Sequence, residues 1–342
     1  MGHLLPTLIL LICTDLLHAS TNFHLKEKTL IVEVDYTNGK TVETVTINCD
    51  TSAYPDAATD SKNIQWSKRG HIGKTLTLKV SELPDARNYT CKLDNIGIVD
   101  YTHIVLHKAS LPFYHRILNV QNPINCMTKN YSGYFTCSWN GTKDNPNPEF
   151  FFEAFNNNST LLCDGIEKHT TEGNVIPGYT VNCYDSQICH YSEDPSIHVE
   201  LHVIAKNRYE RHEKSFTLRN IIKPDSPQDL HIHKKDEKLS LRWKYPKTWC
   251  NAHLFYQLIF NVKVERKSPN GEENYVGIEK TSLSVDYDDI TQFCVQARDM
   301  YHVNSCWSNW SCANENQKRK EHKEEKVKKK KKGKKKKRKT LT

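Results

Sequence analysis

The chain predicts an all-β fold of consecutive sandwiches, and three observations carry that expectation. Short runs rich in Val, Ile, Thr and aromatic residues alternate with turn residues along most of its 342 positions. Cys49, Trp66 and Cys91 stand in the order of an immunoglobulin sandwich, with the Trp 17 residues after the first Cys. No segment carries the 3.6-residue periodicity of a long amphipathic helix. At about 100–150 residues per domain, the length accommodates two or three such modules.

Residues 1–20 come first. Leu4 to Ile12 is apolar but too short to span a bilayer, polar residues follow, and the small residues Ala19 and Ser20 mark a cleavage point. This reads as a secretory signal peptide, with an uncleaved signal anchor as the alternative. No later segment approaches the ~18 apolar residues of a membrane span, so the mature chain is expected to be secreted without an anchor. Of the 12 cysteines, Cys13 would leave with the signal. The odd number left points to a bond with another chain. Asn88, Asn130, Asn140, Asn157, Asn158 and Asn309 each begin an Asn-x-Ser/Thr sequon, and a secreted chain presents these as glycosylation sites.

Residues 21–107 read as an immunoglobulin-like domain. Strand-like runs cover 29–34, 41–49 and 76–80. Tyr89 stands two residues before Cys91, the spacing of a tyrosine corner. A Cys49–Cys91 bridge is expected between the sheets. Residues 108–222 form a second all-β unit, with Phe150–Ala154 and the alternating run Ile197–Ile204 as strands. A hinge follows at 221–227. Its two prolines, Pro224 and Pro227, set an extended path and forbid a helix. Residues 223–316 repeat the β pattern at 239–243, 255–264 and 292–298, with a turn at Asn270-Gly271.

The tail, 317–342, changes character. Residues 318–339 hold 16 Lys or Arg against 3 Glu, leaving 32 bases and 37 acids elsewhere. The formal charge of +8 therefore belongs to the tail, and the modules are mildly acidic. Like charges at this density repel, and the segment is expected to be disordered. A secreted polycation meets heparan sulfate and anionic cell surfaces before nucleic acid, so the former is the expected partner. A solvated extension without a partner is the alternative.

Three motifs in fixed order carry a resemblance. Cys126 and Cys137 precede Trp139 in a Cys-x10-Cys-x-Trp pattern, the Pro-rich hinge joins two β modules, and Trp307-Ser308-Asn309-Trp310-Ser311 closes the last module. Together they resemble the cytokine-binding region of class I cytokine receptors. The segments 126–137, 221–227 and 243–249 are more narrowly similar to the interleukin-12 beta-subunit family. The resemblance covers about residues 20–315. It implies an immunoglobulin-like sandwich followed by two fibronectin type III sandwiches, a four-helix cytokine alpha subunit bound at the elbow between the last two, and engagement of a cytokine receptor. A soluble class I receptor alpha chain is the alternative reading, which a membrane or lipid anchor would favour.

The resemblance also implies residue roles. Cys126–Cys137 and Cys163–Cys183 pair within the second module, and Cys189 bonds the alpha subunit, with a free thiol as the alternative. Cys250, Cys294, Cys306 and Cys312 allow three connectivities. Cys250–Cys306 is favoured, joining the loops after Trp249 and before Trp307, with Cys294–Cys312 on neighbouring strands. Alpha-subunit contacts carry over to Glu193, Phe255, Asp299 and Tyr301. Asp299 is expected to take an Arg from a helix, although it lies one residue further from Trp307 than the family spacing leads one to expect. In the Trp-Ser-x-Trp-Ser motif, Trp307, Ser308, Trp310 and Ser311 are expected to build a structural cation–π ladder with Arg298. Lys263, Arg266 and Gln296 are the other candidates for it. Asn309 stands where the resemblance leads one to expect an acidic residue.

Catalytic readings find little support. His231 and His233 share a strand face without a third metal ligand at suitable spacing. Phosphate-binding loops, nucleophile elbows and paired-carboxylate patterns are not found. The expected role is binding without a cofactor or metal, and not catalysis.

Overall fold

The computed structural model describes residues 23–36, 41–56, 61–67, 70–108, 116–118, 120–144, 147–156, 159–170, 176–185, 196–235, 238–249, 256–267, 271–286 and 290–314. Among these, the regular structure is strand, interrupted by the short 3-10 turns Ser61–Asn63, Leu83–Asp85 and Leu218–Ile221. The signal segment, Cys189, Glu193, Phe255, Cys250, Asn157, Asn158 and the basic tail lie outside the described residues. The chain falls into two compact units. One comprises 1–120 with 144–149 and 202–211, and the other the remainder.

The first unit contains the immunoglobulin-like sandwich. Glu43–Asn48 pairs antiparallel with Thr75–Val80. Val45 and Ile47 on one strand, and Leu76, Leu78 and Val80 on the other, turn inward at every second position. The facing sheet runs Ile64–Trp66, Asn88–Leu93, Gly97–His107, with Thr29–Glu33 parallel to the last of these. Cys49 and Cys91 are bridged, joining the residue after Glu43–Asn48 in one sheet to the middle of Asn88–Leu93 in the other. Trp66 shares their buried core and donates its indole N–H to the Gly73 carbonyl at 2.9 Å. The Tyr89 hydroxyl donates to the Asp85 carbonyl at 2.9 Å, which makes the tyrosine corner. Asp85 in turn accepts the Ser81 and Glu82 amides, so the corner begins from a capped turn.

In the second unit, Asn125–Met127, Tyr134–Asn140 and Gly178–Tyr184 are neighbours in one sheet, with Cys126 opposite Cys137 and Cys163 opposite Cys183. Both pairs are disulfides. Trp139 stacks on Phe152 and Tyr179, with Phe150 edge-on; Trp139 and Tyr179 are buried and the two Phe rings half-buried. After the hinge, Gln228–Lys235, Lys238–Lys244 and Ser282–Asp286 form one sheet. Glu272–Ile278, Leu258–Arg266, Ile290–Asp299 and Ser311–Asn314 form the other. Trp243, Phe260, Phe293 and Val295 fill the space between them. The expected strand at 255–264 begins later, at Leu258. Tyr256 is instead drawn into the core, its carbonyl accepting the Trp249 indole N–H at 2.8 Å.

The last module corrects one cysteine expectation. Cys294 and Cys312 face each other in register and are bridged. Cys306 is an exposed free thiol, so the expected Cys250–Cys306 bridge is not made. The physical reason is the path of the loop before Trp307. The Cys306 amide donates to the Ile222 carbonyl at 3.0 Å, which ties that segment to the hinge.

Candidate functional site

The elbow of the second unit joins residues far apart in sequence. The turn after Asn125–Met127 brings Asn130 and Tyr131 against the third module. Tyr131 is buried, its ring edge-on to Trp249 at 6.0 Å and tilted over Tyr256 at 4.3 Å. Its hydroxyl donates to Asp299 Oδ2 at 2.5 Å. Asp299 ends the strand Ile290–Asp299, and its other oxygen accepts the amides of Tyr301 at 2.8 Å and His302 at 3.1 Å. Burial, and then the Asp299 carboxylate, push the Tyr131 phenol well above its ordinary range, while Arg219 opposes the shift.

Backbone pairing fixes the same joint. Thr128 and Ile222 form a parallel bridge, with the Thr128 amide donating to Ile221 and the Lys223 amide to Thr128. Asn130 Nδ2 donates to the Thr248 carbonyl, and Lys129 pairs with Asp225 at 3.2 Å. Asp225 also accepts the Thr248 hydroxyl at 2.8 Å. The hinge prolines Pro224 and Pro227 are buried.

This geometry changes the reading of Asp299. It was expected as an accessible acid for a partner's Arg, yet it is only 1% exposed and both its oxygens are occupied within the chain. Its acceptor capacity is spent on a phenol 168 residues away and on its own loop. Tyr301, whose backbone it holds, is 52% exposed, and Val303 on the same loop is 70% exposed. The arrangement is a buried carboxylate that shapes a loop presenting two apolar side chains. Sequence reasoning missed Tyr131, Trp249, Tyr256 and Arg219 as elbow residues. Buried aromatics leave no periodic signal in a turn.

Further along, Arg298 lies over the Trp307 ring, 4.6 Å from its centroid. Ser308 fastens the motif to the sheet. Its hydroxyl accepts the Ala297 amide at 2.9 Å, and its own amide donates to the Ala297 carbonyl at 2.8 Å. Ser311 pairs with Val295, and Trp310 is partly exposed. Lys263 pairs with Glu265 and Glu272, and Arg266 with Glu273, so their charges are committed to carboxylates. Among the sequons, Asn88, Asn140 and Asn309 are exposed. Asn130 is not, and its amide nitrogen is turned into the elbow. His231 and His233 are exposed.

Comparison with known proteins decides the family. A family model described as "Cytokine interleukin-12p40 C-terminus" matches residues 121–205. The curated protein named interleukin-12 subunit beta from Felis catus is 31% identical over 306 residues, covering 84% of this chain and 92% of the relative. Those from Ovis aries and Macaca mulatta are 32% and 30% identical, again over 84% of this chain and 91–92% of theirs. The chain belongs to the interleukin-12 subunit beta family. The family model covers most of the second module, including Tyr131 on its side of the elbow. The extended matches carry the family assignment across most of the chain. Among the described residues, no helix is long and apolar enough to cross a membrane.

Proposed function

We propose that the chain is the secreted beta subunit of a heterodimeric cytokine, whose work is binding and not catalysis. It holds a four-helix alpha subunit at the elbow of its two fibronectin-like modules, and the heterodimer engages a cytokine receptor. The observation that carries this reading is the locked elbow, with Tyr301 and Val303 held outward on a loop organised by Asp299. A partner helix meets a preformed apolar surface there, and little ordering entropy is lost on binding. Tyr301→Ala is expected to weaken alpha-subunit binding roughly thirtyfold, the loss of an aromatic anchor of about 2 kcal/mol. Surface plasmon resonance on co-expressed and separated subunits measures this, and an unchanged Kd removes Tyr301 from the interface.

Cys189 supplies the covalent link in this proposal. Cys189→Ser is expected to abolish a disulfide-linked heterodimer on a non-reducing gel while co-immunoprecipitation persists through the elbow. A covalent heterodimer surviving in the variant transfers the bond to another cysteine, with the free thiol of Cys306 the first to test.

The tail retains the cytokine near cells by binding heparan sulfate. Residues 326–339 hold 12 Lys or Arg in 14 positions with no acid. An extended residue advances about 3.3 Å, and the Debye length is about 8 Å at physiological salt, so neighbouring charges act together. Deleting 317–342 is expected to shift heparin-column elution to much lower salt and leave alpha-subunit binding intact. Equal elution of the two forms rules out the tail as the anchor.

A further inference from the structure

Asn309 lines a groove of about 300 Å³ beside the elbow. One wall is the end of the second module's strand, with Met127 and Lys129. The other is the hinge, with Lys223, Asp225 and Ser226. The volume is at the lower end of ligand pockets, which run to about 300–1,000 Å³. The walls are preformed. The Thr128–Ile222 bridge and the Lys129–Asp225 ion pair fix them to each other, and the Ser226 hydroxyl donates to the Asn309 carbonyl at 2.8 Å. The lining is mixed in character. Met127 is 42% exposed and offers an apolar face, and Lys129 and Lys223 offer ammonium donors, while the Asp225 oxygens are held by Lys129 and Thr248.

We propose that Asn309 carries an N-linked glycan whose first N-acetylglucosamine residues seat in this groove and brace the elbow. The chemistry of the lining fits a sugar, which presents an apolar ring face together with hydroxyl and acetamido groups. Covalent attachment at the groove's own edge supplies the effective concentration that a free saccharide lacks. Attachment is a group transfer in the secretory pathway. The Asn309 amide nitrogen bonds to the anomeric carbon of a lipid-pyrophosphate oligosaccharide donor. The carbon–oxygen bond to the pyrophosphate breaks, the pyrophosphate leaves with the electron pair, and the amide proton passes to a base of the transferring enzyme. Asn309 and Trp310 are both exposed next to the buried Ser308, so the sequon is accessible while the motif's anchor is not.

The test uses full-length protein secreted from animal cells. Glycopeptide mass spectrometry is expected to find Asn309 occupied. Acetylation of surface amines, read lysine by lysine, is expected to be several-fold slower at Lys129 and Lys223 than after enzymatic removal of N-glycans. Exposed Lys79 and Lys92 should react equally in both forms. Asn309→Gln is expected to reproduce the faster labelling with the other glycans in place. If that variant is not secreted, Ser311→Ala, which also destroys the sequon, takes its place. If neither is secreted, the enzymatic comparison decides alone. An unoccupied Asn309 overturns the proposal, and so does equal labelling of Lys129 and Lys223 with and without its glycan.

Discussion

Asp299→Ala is expected to cost about 2–4 kcal/mol of stability in the second unit, through one buried phenol left without an acceptor and two loop amides weakened. The partners are specific. Tyr131 loses the acceptor of its 2.5 Å bond, and the Tyr301 and His302 amides lose theirs. Asp299→Asn keeps a carbonyl oxygen for the two amides and is expected to lose much less. Thermal unfolding of the secreted proteins compares the two, and equal melting temperatures for wild type and Asp299→Ala would show that the carboxylate is not a structural rivet. The same joint has a pH signature. The Tyr131 phenol is held protonated in the fold, first by burial and then by Asp299. In the unfolded chain it ionises near pH 10. Its contribution to stability is therefore complete below about pH 10 and falls as pH rises beyond it, because only the unfolded state releases the proton. Tyr131→Phe should remove this part of the alkaline sensitivity when denaturation midpoints at about pH 8 and about pH 10.5 are compared.

Among the described disulfides, loss of the Cys49–Cys91 bridge is expected to be the most damaging. It closes a 42-residue loop, against 20 for Cys163–Cys183, 18 for Cys294–Cys312 and 11 for Cys126–Cys137. On the chain-entropy estimate the first contributes about 4 kcal/mol and the others about 3. A domain is stable by only about 5–15 kcal/mol, so removing 4 leaves the immunoglobulin-like sandwich marginal. The double variant Cys49→Ala, Cys91→Ala is expected to be secreted at a small fraction of the wild-type level. Pulse-chase labelling measures it, and secretion equal to wild type would show that Trp66, Tyr89 and their neighbours hold the sandwich without the bridge.

The two predictions differ in how their residues could be found. Cys49, Trp66, Tyr89 and Cys91 lie in one module at spacings set by strand length and sandwich thickness, so the bridge and the corner are legible in order along the chain. The alternation in Ile197–Leu201 and Leu258–Val264 is likewise local, because side chains on a strand point alternately to two faces, whereas the burial of His202 further along the first strand breaks that pattern. Arg298 could be matched to Trp307 for the same reason, since the motif and its strand are neighbours in one sheet.

Asp299 was not legible in this way. An acid after a strand and before a Tyr reads as an exposed loop residue, and only the docking of Tyr131 turns it inward. That Cys306 stands as a free thiol was likewise not legible, since the cysteine count led to an expected Cys250–Cys306 bridge. Composition, strand periodicity and cysteine order by themselves determined the all-β class and the immunoglobulin-like module, because those properties repeat at short spacing, and the motifs at 126–139, 221–227 and 307–311 carried the family resemblance. The tertiary structure alone decided which polar groups are buried, that Tyr301 and not Asp299 faces outward, and that Asn309 opens onto a groove shared with the second module. Those outcomes depend on contacts between residues more than 80 positions apart, such as Ser226 with Asn309 and Tyr131 with Asp299. Burial and hydrogen-bond satisfaction are properties of the packed pair, and neither partner carries them alone.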